Sequence, residues 1–230
     1  MRIPAYTDAL LREVLVNGYA VVPNYWSRER CEISCGNIDR LIADPSVKVW
    51  TDKYHADQRV MGVENLQPDL DLMSNSLLSL RLKNLFGTSS LSGFNMASKI
   101  SFVPNNLGSG QGWHRDVAVS YQFKAILYLS DVDTHSGPFQ YYNKSGNCLA
   151  MLNLERKEKL PIDQNRFTEK EAKLFDQRCI TEICAPAGTL ILANTRGIHR
   201  GKPISSGNRY ALTSYQWPHA IPNHIQPYVN

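Results

Sequence analysis

The sequence predicts a mainly β fold with flanking helices, its back half an antiparallel β-sandwich or jelly roll. Two observations carry that expectation. Up to about Gly87, apolar residues recur at helical spacing in several segments, with capping residues before them and glycines after. Beyond Gly93 the pattern changes to runs rich in β-branched and aromatic residues, punctuated by Gly, Pro, Asn and Ser. Size supplies the third constraint. A chain of 230 residues, 43% of them apolar, can bury a sizeable core. No repeat, low-complexity tract or Gly/Pro-rich linker divides it. Residues 1–230 are therefore expected to form one domain, helix-rich over about 1–90 and jelly-roll over about 91–220.

From Thr7 to Asn17, residues Leu10, Leu11, Val14 and Leu15 share a helical face, and Gly18 follows as a stop. GYAVVPNYW reads as a strand, and Ser27 is placed to cap a helix from Arg28 to about Ala43. Between Asp44 and Asp69 only RVMGV has strand character. LMSNSLLSLRLKNLF then reads as a helix closed by Gly87. The strand-like runs that follow are MASKISFV, AVSYQFKAILYLSDV, GPFQYYN, GTLILAN and RYALTSYQW. Thr168 and Glu171 have the spacing of a capping box and predict a short helix to about Phe175, within a long crossover. The rest of the segment from Ala150 to Cys179 matches no pattern. The helices are expected to pack on one sheet face.

The formal charge of +4 is spread along the chain rather than gathered in a run, which gives no reason to expect a nucleic-acid partner. Five cysteines, without zinc-type pairs or a preceding signal-like segment, suggest a reduced, cytoplasmic protein. Cys31 and Cys35 lie on a predicted helix and read as helix residues rather than metal ligands. No apolar stretch approaches the roughly 20 residues needed to span a bilayer.

The residues that point to chemistry are His114 and Asp116 in QGWHRDV and, much later, His199 in GIHRGKP. In an extended segment positions i and i+2 point the same way, so His114 and Asp116 converge on one ion while His199 arrives from elsewhere in the fold. Two imidazoles and a carboxylate suit iron(II) and leave neighbouring coordination positions open, whereas a structural zinc site would be closed by four ligands, often thiolates. Arg209 opens the last strand-like run, where its planar guanidinium can grip a carboxylate such as that of a 2-oxo acid. His-x-Asp alone is a weak signal; its strength comes from the order His-x-Asp, distant His, Arg within a β-rich back half.

At this point the sequence resembles the phytanoyl-CoA dioxygenase-like family of Fe(II)/2-oxoglutarate-dependent oxygenases over nearly its whole length. The stretches that carry the likeness are NGYAVVPNYWS, GWHRD, AILYLSDVDTHSGPFQYYNKSG and AGTLILANTRGIHRGKPISSGNRYALTSYQW, the last two being the most specific. The resemblance implies a double-stranded β-helix, cupin-like core. It implies Fe(II) held by His114, Asp116 and His199, 2-oxoglutarate anchored by Arg209, and O2 as the other co-substrate. It further implies hydroxylation of a small molecule with release of succinate and CO2. Relatives place a basic residue from an earlier strand near the co-substrate, and Arg59 in DQRVMGVENL is the match. The presence of Asp116 argues against a halogenase, in which that carboxylate is vacated. NKSGN lacks a histidine that relatives often carry there, which leaves the substrate open.

Around the ligands, Trp113 has two readings, pocket wall or packing, and Arg115 is expected to point to water rather than to substrate. Arg196, Arg200 and Lys202 form a small basic cluster, either a solvated face or a contact for an anionic substrate. Tyr121, Tyr128, Tyr141 and Tyr142 read as strand and core residues. His55, His135, His219 and His224 are not needed as ligands, and the tail bearing His219 and His224 is expected to fray. Two other classes stay open: a cupin-type metalloenzyme that does not use 2-oxoglutarate, and a non-catalytic β-sandwich binding protein.

Overall fold

In the computed structural model, residues 8–117 and 121–230 are described. Thr7 of the first predicted helix and the opening residues 118–120 of the AVSYQ run lie outside them. The first helix, α1 (Ala9–Asn17), is capped by the Asp8 carboxylate, which accepts from the Leu10 and Leu11 amides. Gly18 ends it in the left-handed region at φ 98°, where a Cβ would lie 2.3 Å from the Tyr141 ring. Strand β1 (Tyr19–Val22) is shorter than GYAVVPNYW predicts: Pro23 has no N–H to give, and the chain turns at Asn24, φ 53°. Helix α2 (Arg28–Ala43) begins at the Ser27 cap as expected.

β2 (Trp50–Thr51), β3 (Asp57–Met61) and the one-turn α3 (Val63–Leu66) lead to α4 (Ser76–Phe86), capped by Asn75 and closed by Gly87. The β-rich half contains β4 (Ser92–Ser101), β5 (Phe123–Tyr128) and β6 (Phe139–Tyr142). Two helices follow, α5 (Cys148–Glu158) and α6 (Glu169–Ala172), the second opened by the predicted Thr168/Glu171 capping box. β7 (Ile180–Ile183), β8 (Leu190–Asn194), β9 (His199–Gly201) and β10 (Asn208–Trp217) complete the fold. No helix among the described residues is long and apolar enough to cross a membrane.

Seven strands form one sheet in the order β1-β8-β5-β10-β4-β3-β2, and three form a second, β7-β6-β9. The two sheets face each other through Tyr128 and Ile191 of the large one and Phe139, Tyr141 and Ile183 of the small one, a jelly roll. The outward parity of the large sheet, Phe123, Ala125 and Leu127 on β5 with Leu190, Leu192 and Leu212, packs against Val14, Ile38, Leu78 and Leu82 of the helices. Helices thus cover one face of the large sheet, as expected. Each such leucine, withdrawn from water, contributes about 1.5–3 kcal/mol.

Two expectations fail. The segment from Ala150 to Cys179, which showed no pattern, contains α5, whose Met151 and Leu154 join Phe167, Phe175 and Trp113 in a separate apolar cluster. The C-terminal tail does not fray: Ile221, Ile225 and Val229 pack beside Phe94 and Trp217, and the Asn230 amide donates to the Met61 carbonyl at 2.9 Å.

Candidate metal and co-substrate site

His114 lies at the edge of the small sheet. Its amide donates to the His199 carbonyl and its carbonyl accepts the return bond from the His199 amide, both 2.9 Å, so the two ligand candidates are directly paired in an antiparallel bridge. The Asp116 amide then donates to Thr195 at 3.0 Å, holding the His-x-Asp segment extended. The i, i+2 argument therefore operates: ligand atoms of His114, Asp116 and His199 lie within 4.8 Å of one another. Gly110, at φ +82°, passes so close that a Cβ there would sit 2.1 Å from Cε1 of His114.

Both imidazoles are oriented the same way. Nδ1 of His114 is 2.9 Å from the Gly112 carbonyl, and Nδ1 of His199 is 2.8 Å from the Gly197 carbonyl. A carbonyl can only accept, so Nδ1 carries the proton and each Nε2 keeps a free lone pair, 3.8 and 3.9 Å from the Asp116 carboxylate. Burial, and then the neighbouring His199, pushes His114 down to about 3; burial also lowers His199. For Asp116 burial alone would raise the pKa, but the charge of the neighbouring Lys124 ammonium leads the effects that more than offset it and hold the carboxyl well below the usual range. The three groups are thus already neutral, neutral and anionic, the states that bind a divalent ion.

Asp116 Oδ2 is buried and ion-paired with the Lys124 ammonium at 2.7 Å. A carboxylate so held beside two free Nε2 atoms fits a cation in a facial two-histidine, one-carboxylate arrangement. No cysteine takes part in this cluster.

The site opens into a cavity of about 290 Å³ whose floor is the inward parity of β4, β5 and β10. Arg209 stands at one end. It is 5% exposed, its Nε has no hydrogen-bond partner, and among the described residues no carboxylate lies within ion-pair distance. A buried guanidinium without a counter-ion is costly and is completed by an anionic ligand. Arg59 reaches the same cavity from β3, but it arrives with its own counter-ion, Asp57, and lies over the Trp50 ring at 4.8 Å.

The flanking residues depart from expectation. Arg115 does not face water. It is 3% exposed, forms a 3.2 Å ion pair with Glu155 of α5 and donates to the Gln164 and Ile162 carbonyls. Its partner sits on the helix the sequence reading missed. Trp113 packs in the apolar cluster against Phe175. Arg200 pairs with Glu169 at 2.8 Å and Lys202 with Glu182 at 3.0 Å, so these two are matched internally. The Arg196 guanidinium lies 5.2 Å from the Tyr121 ring centre. Tyr128 lines the cavity and donates to the Ile183 carbonyl; Tyr141 is core. His135 is in contact with Ser205, away from the ligands.

The residue that sequence reasoning missed is Lys124. Its signal was present: in FKAILY it holds the same parity as Ile126 and Tyr128, a charged side chain facing inward from a strand buried on both faces.

The sequence matches the family described as Phytanoyl-CoA dioxygenase (PhyH) over residues 15–211. No curated protein sequence matches the chain. Among solved structures, the epimerase SnoN in complex with Fe3+, alpha ketoglutarate and nogalamycin RO superposes with a TM-score of 0.67 at 15% identity, covering 93% of this chain and 84% of that one. HygX from Streptomyces hygroscopicus with nickel and 2-oxoglutarate bound gives 0.64 at 14% identity, over 91% of this chain and 86% of that one. EctD from S. alaskensis with bound Fe gives 0.64 at 16% identity, over 89% and 74%.

Proposed function

The chain belongs to the phytanoyl-CoA dioxygenase family of Fe(II)/2-oxoglutarate-dependent oxygenases, and from that premise we propose that it hydroxylates a small molecule, with His114, Asp116 and His199 holding the iron and Arg209 anchoring 2-oxoglutarate. The observation that carries the reading is that one cavity joins a cation-binding cluster to an unpaired buried cation. At its wall, two free Nε2 atoms and the Asp116 carboxylate converge; at its end, the buried Arg209 guanidinium has no carboxylate within ion-pair distance among the described residues.

Bound together, iron(II), 2-oxoglutarate and O2 supply an oxidant for an unactivated C–H bond, with succinate and CO2 as by-products. The protein's own share is positional. The Gly112 and Gly197 carbonyls fix both imidazole tautomers and ring planes. Arg209 supplies two parallel donors for the distal carboxylate, and Arg59, held by Asp57, adds positive potential beside it. The Ser109–Gly110 turn closes the cavity over His114. Hydroxylation is the finer part of the proposal. The solved structures of similar fold include enzymes titled epimerase and carbocyclase, and on one scaffold the bond presented to the metal decides the outcome.

The test is anaerobic titration of the Fe(II)-loaded protein with 2-oxoglutarate, following the visible metal-to-ligand charge-transfer band. The band is expected in the wild type, absent in Asp116→Ala and weakened in Arg209→Ala. A folded, metal-loaded wild type that shows no band would remove 2-oxoglutarate and favour a cupin-type metalloenzyme; failure to retain metal at all would favour a binding protein.

A further inference from the structure

Lys124 is a buried cation whose only acidic neighbour has another task. It is 5% exposed, lies 4.0 Å above the Tyr215 ring, and is ion-paired with Asp116 Oδ2 at 2.7 Å. Among the described residues no other carboxylate lies within ion-pair distance. Arg115, Arg200 and Lys202 each have a carboxylate outside the metal-ligand cluster: Glu155, Glu169 and Glu182. Lys124 shares its counter-ion with the metal site.

That sharing has an electrostatic consequence. In the oxygenase reading the divalent ion would be neutralised by Asp116 together with the metal-binding carboxylate of 2-oxoglutarate, which leaves the ammonium's own charge without a balancing anion in a poorly solvated cavity. A second anion is needed to complete the site. It is not the distal carboxylate of 2-oxoglutarate, because Arg209 is at the other end of the floor. On β10 the strand neighbour of Lys124 is Tyr215, roughly 20 Å of strand from Arg209. One ammonium beside the Tyr215 ring balances the single charge of a carboxylate but not the nearly double charge of a phosphate.

Building on the oxygenase reading above, we propose that Lys124 binds a carboxylate of the primary substrate and so fixes the reacting carbon beside the metal. It is a specificity-determining residue. The substrate class is an organic acid small enough for the cavity of about 290 Å³, held at the end opposite the co-substrate anchor.

Co(II)-substituted protein saturated with 2-oxoglutarate tests this through its ligand-field spectrum, without turnover. Acetate is the probe, acetamide its neutral isostere and inorganic phosphate the competing anion. In the wild type acetate is expected to perturb the spectrum saturably and acetamide not at all. Lys124→Met should weaken the acetate response at least tenfold while 2-oxoglutarate affinity stays within about twofold, and Lys124→Arg should keep the response. If Lys124→Met does not fold, the same comparison is made with Lys124→Gln. The proposal is overturned by an unchanged acetate response in the neutral variants, by no acetate response in the wild type, by saturation with phosphate alone, or by loss of 2-oxoglutarate binding in Lys124→Met. Failure of the underlying oxygenase reading looks different: the wild-type Co(II) spectrum would not respond to 2-oxoglutarate.

Discussion

Strand β5 presents two faces, both largely withdrawn from water, with opposite demands. Phe123, Ala125 and Leu127 look out to the helices and are 1%, 0% and 0% exposed; Lys124 and Tyr128 look into the cavity and are 5% and 1% exposed. The outer face contributes through removed apolar area, a non-directional effect that tolerates rearrangement so long as volume is kept. The inner face contributes through charge, where each group is tolerable only because a specific neighbour answers it. Burial alone therefore does not distinguish a structural position from a functional one; the identity of the answering partner does.

Substitution can break the contrast. The largest effect is expected for Asp116→Ala, which removes metal binding and leaves the Lys124 ammonium buried without its carboxylate, a destabilisation of about 3–5 kcal/mol by analogy with broken buried pairs. Denaturant melts should show the double variant Asp116→Ala/Lys124→Met recovering most of that stability while still failing to bind metal. If the double variant is no more stable than the single one, the Lys124 charge was not the cause. On the outer face Leu127→Ala should cost about 2–5 kcal/mol in the same melts, yet isothermal titration with Co(II) should find metal affinity unchanged; a parallel loss of affinity would dissolve the distinction between the faces.

Smaller in energy and sharper in sign is Lys124→Met alone. Removing a like charge beside the cation is expected to tighten Co(II) binding by about tenfold, roughly 1.4 kcal/mol. A weaker Co(II) affinity would instead mean that Lys124 holds Asp116 in place. The last expected effect concerns pH. His114 has a folded pKa pushed down to about 3 by burial and by His199, below its ordinary 6.5, so the unfolded chain binds the proton more readily. The metal-free protein should hold its full stability above about pH 6.5 and lose it as pH falls toward about 3. His114→Gln should flatten that slope; a variant with the wild-type slope would assign it elsewhere.

The sequence made the inner face legible only in part, and the division follows the range of the interactions. The candidate metal ligands could be picked out because His114 and Asp116 fall in one extended tripeptide, and Arg209 because it opens a clear strand run. Caps at Ser27 and Thr168 mark helix starts because each acts within three residues of itself, whereas the Asn75 cap, which starts its helix at Ser76, was not picked out within LMSNSLLSLRLKNLF. The partnership of Arg115 with Glu155 could not be read in that way, since it joins a strand to a distant helix. That helix was itself concealed: α5 exposes Leu149 and Leu152 while burying Glu155, the reverse of the amphipathic pattern from which helices are recognised. Lys124 was overlooked for a related reason. Its residue type suggested solvent, and only strand parity contradicted it.

The two glycine carbonyls behind the ligand histidines have a broader consequence. Gly112-Trp113-His114 and Gly197-Ile198-His199 each contain the acceptor that sets their own imidazole, two residues upstream. Neither histidine borrows its orientation from the cavity wall. Two of the three proposed ligands are thus oriented within self-contained tripeptides, independently of Lys124 and Arg59, which line the cavity through ion pairs of their own. Such a division of labour means that substitutions in the cavity lining can change what is bound there without disturbing either imidazole.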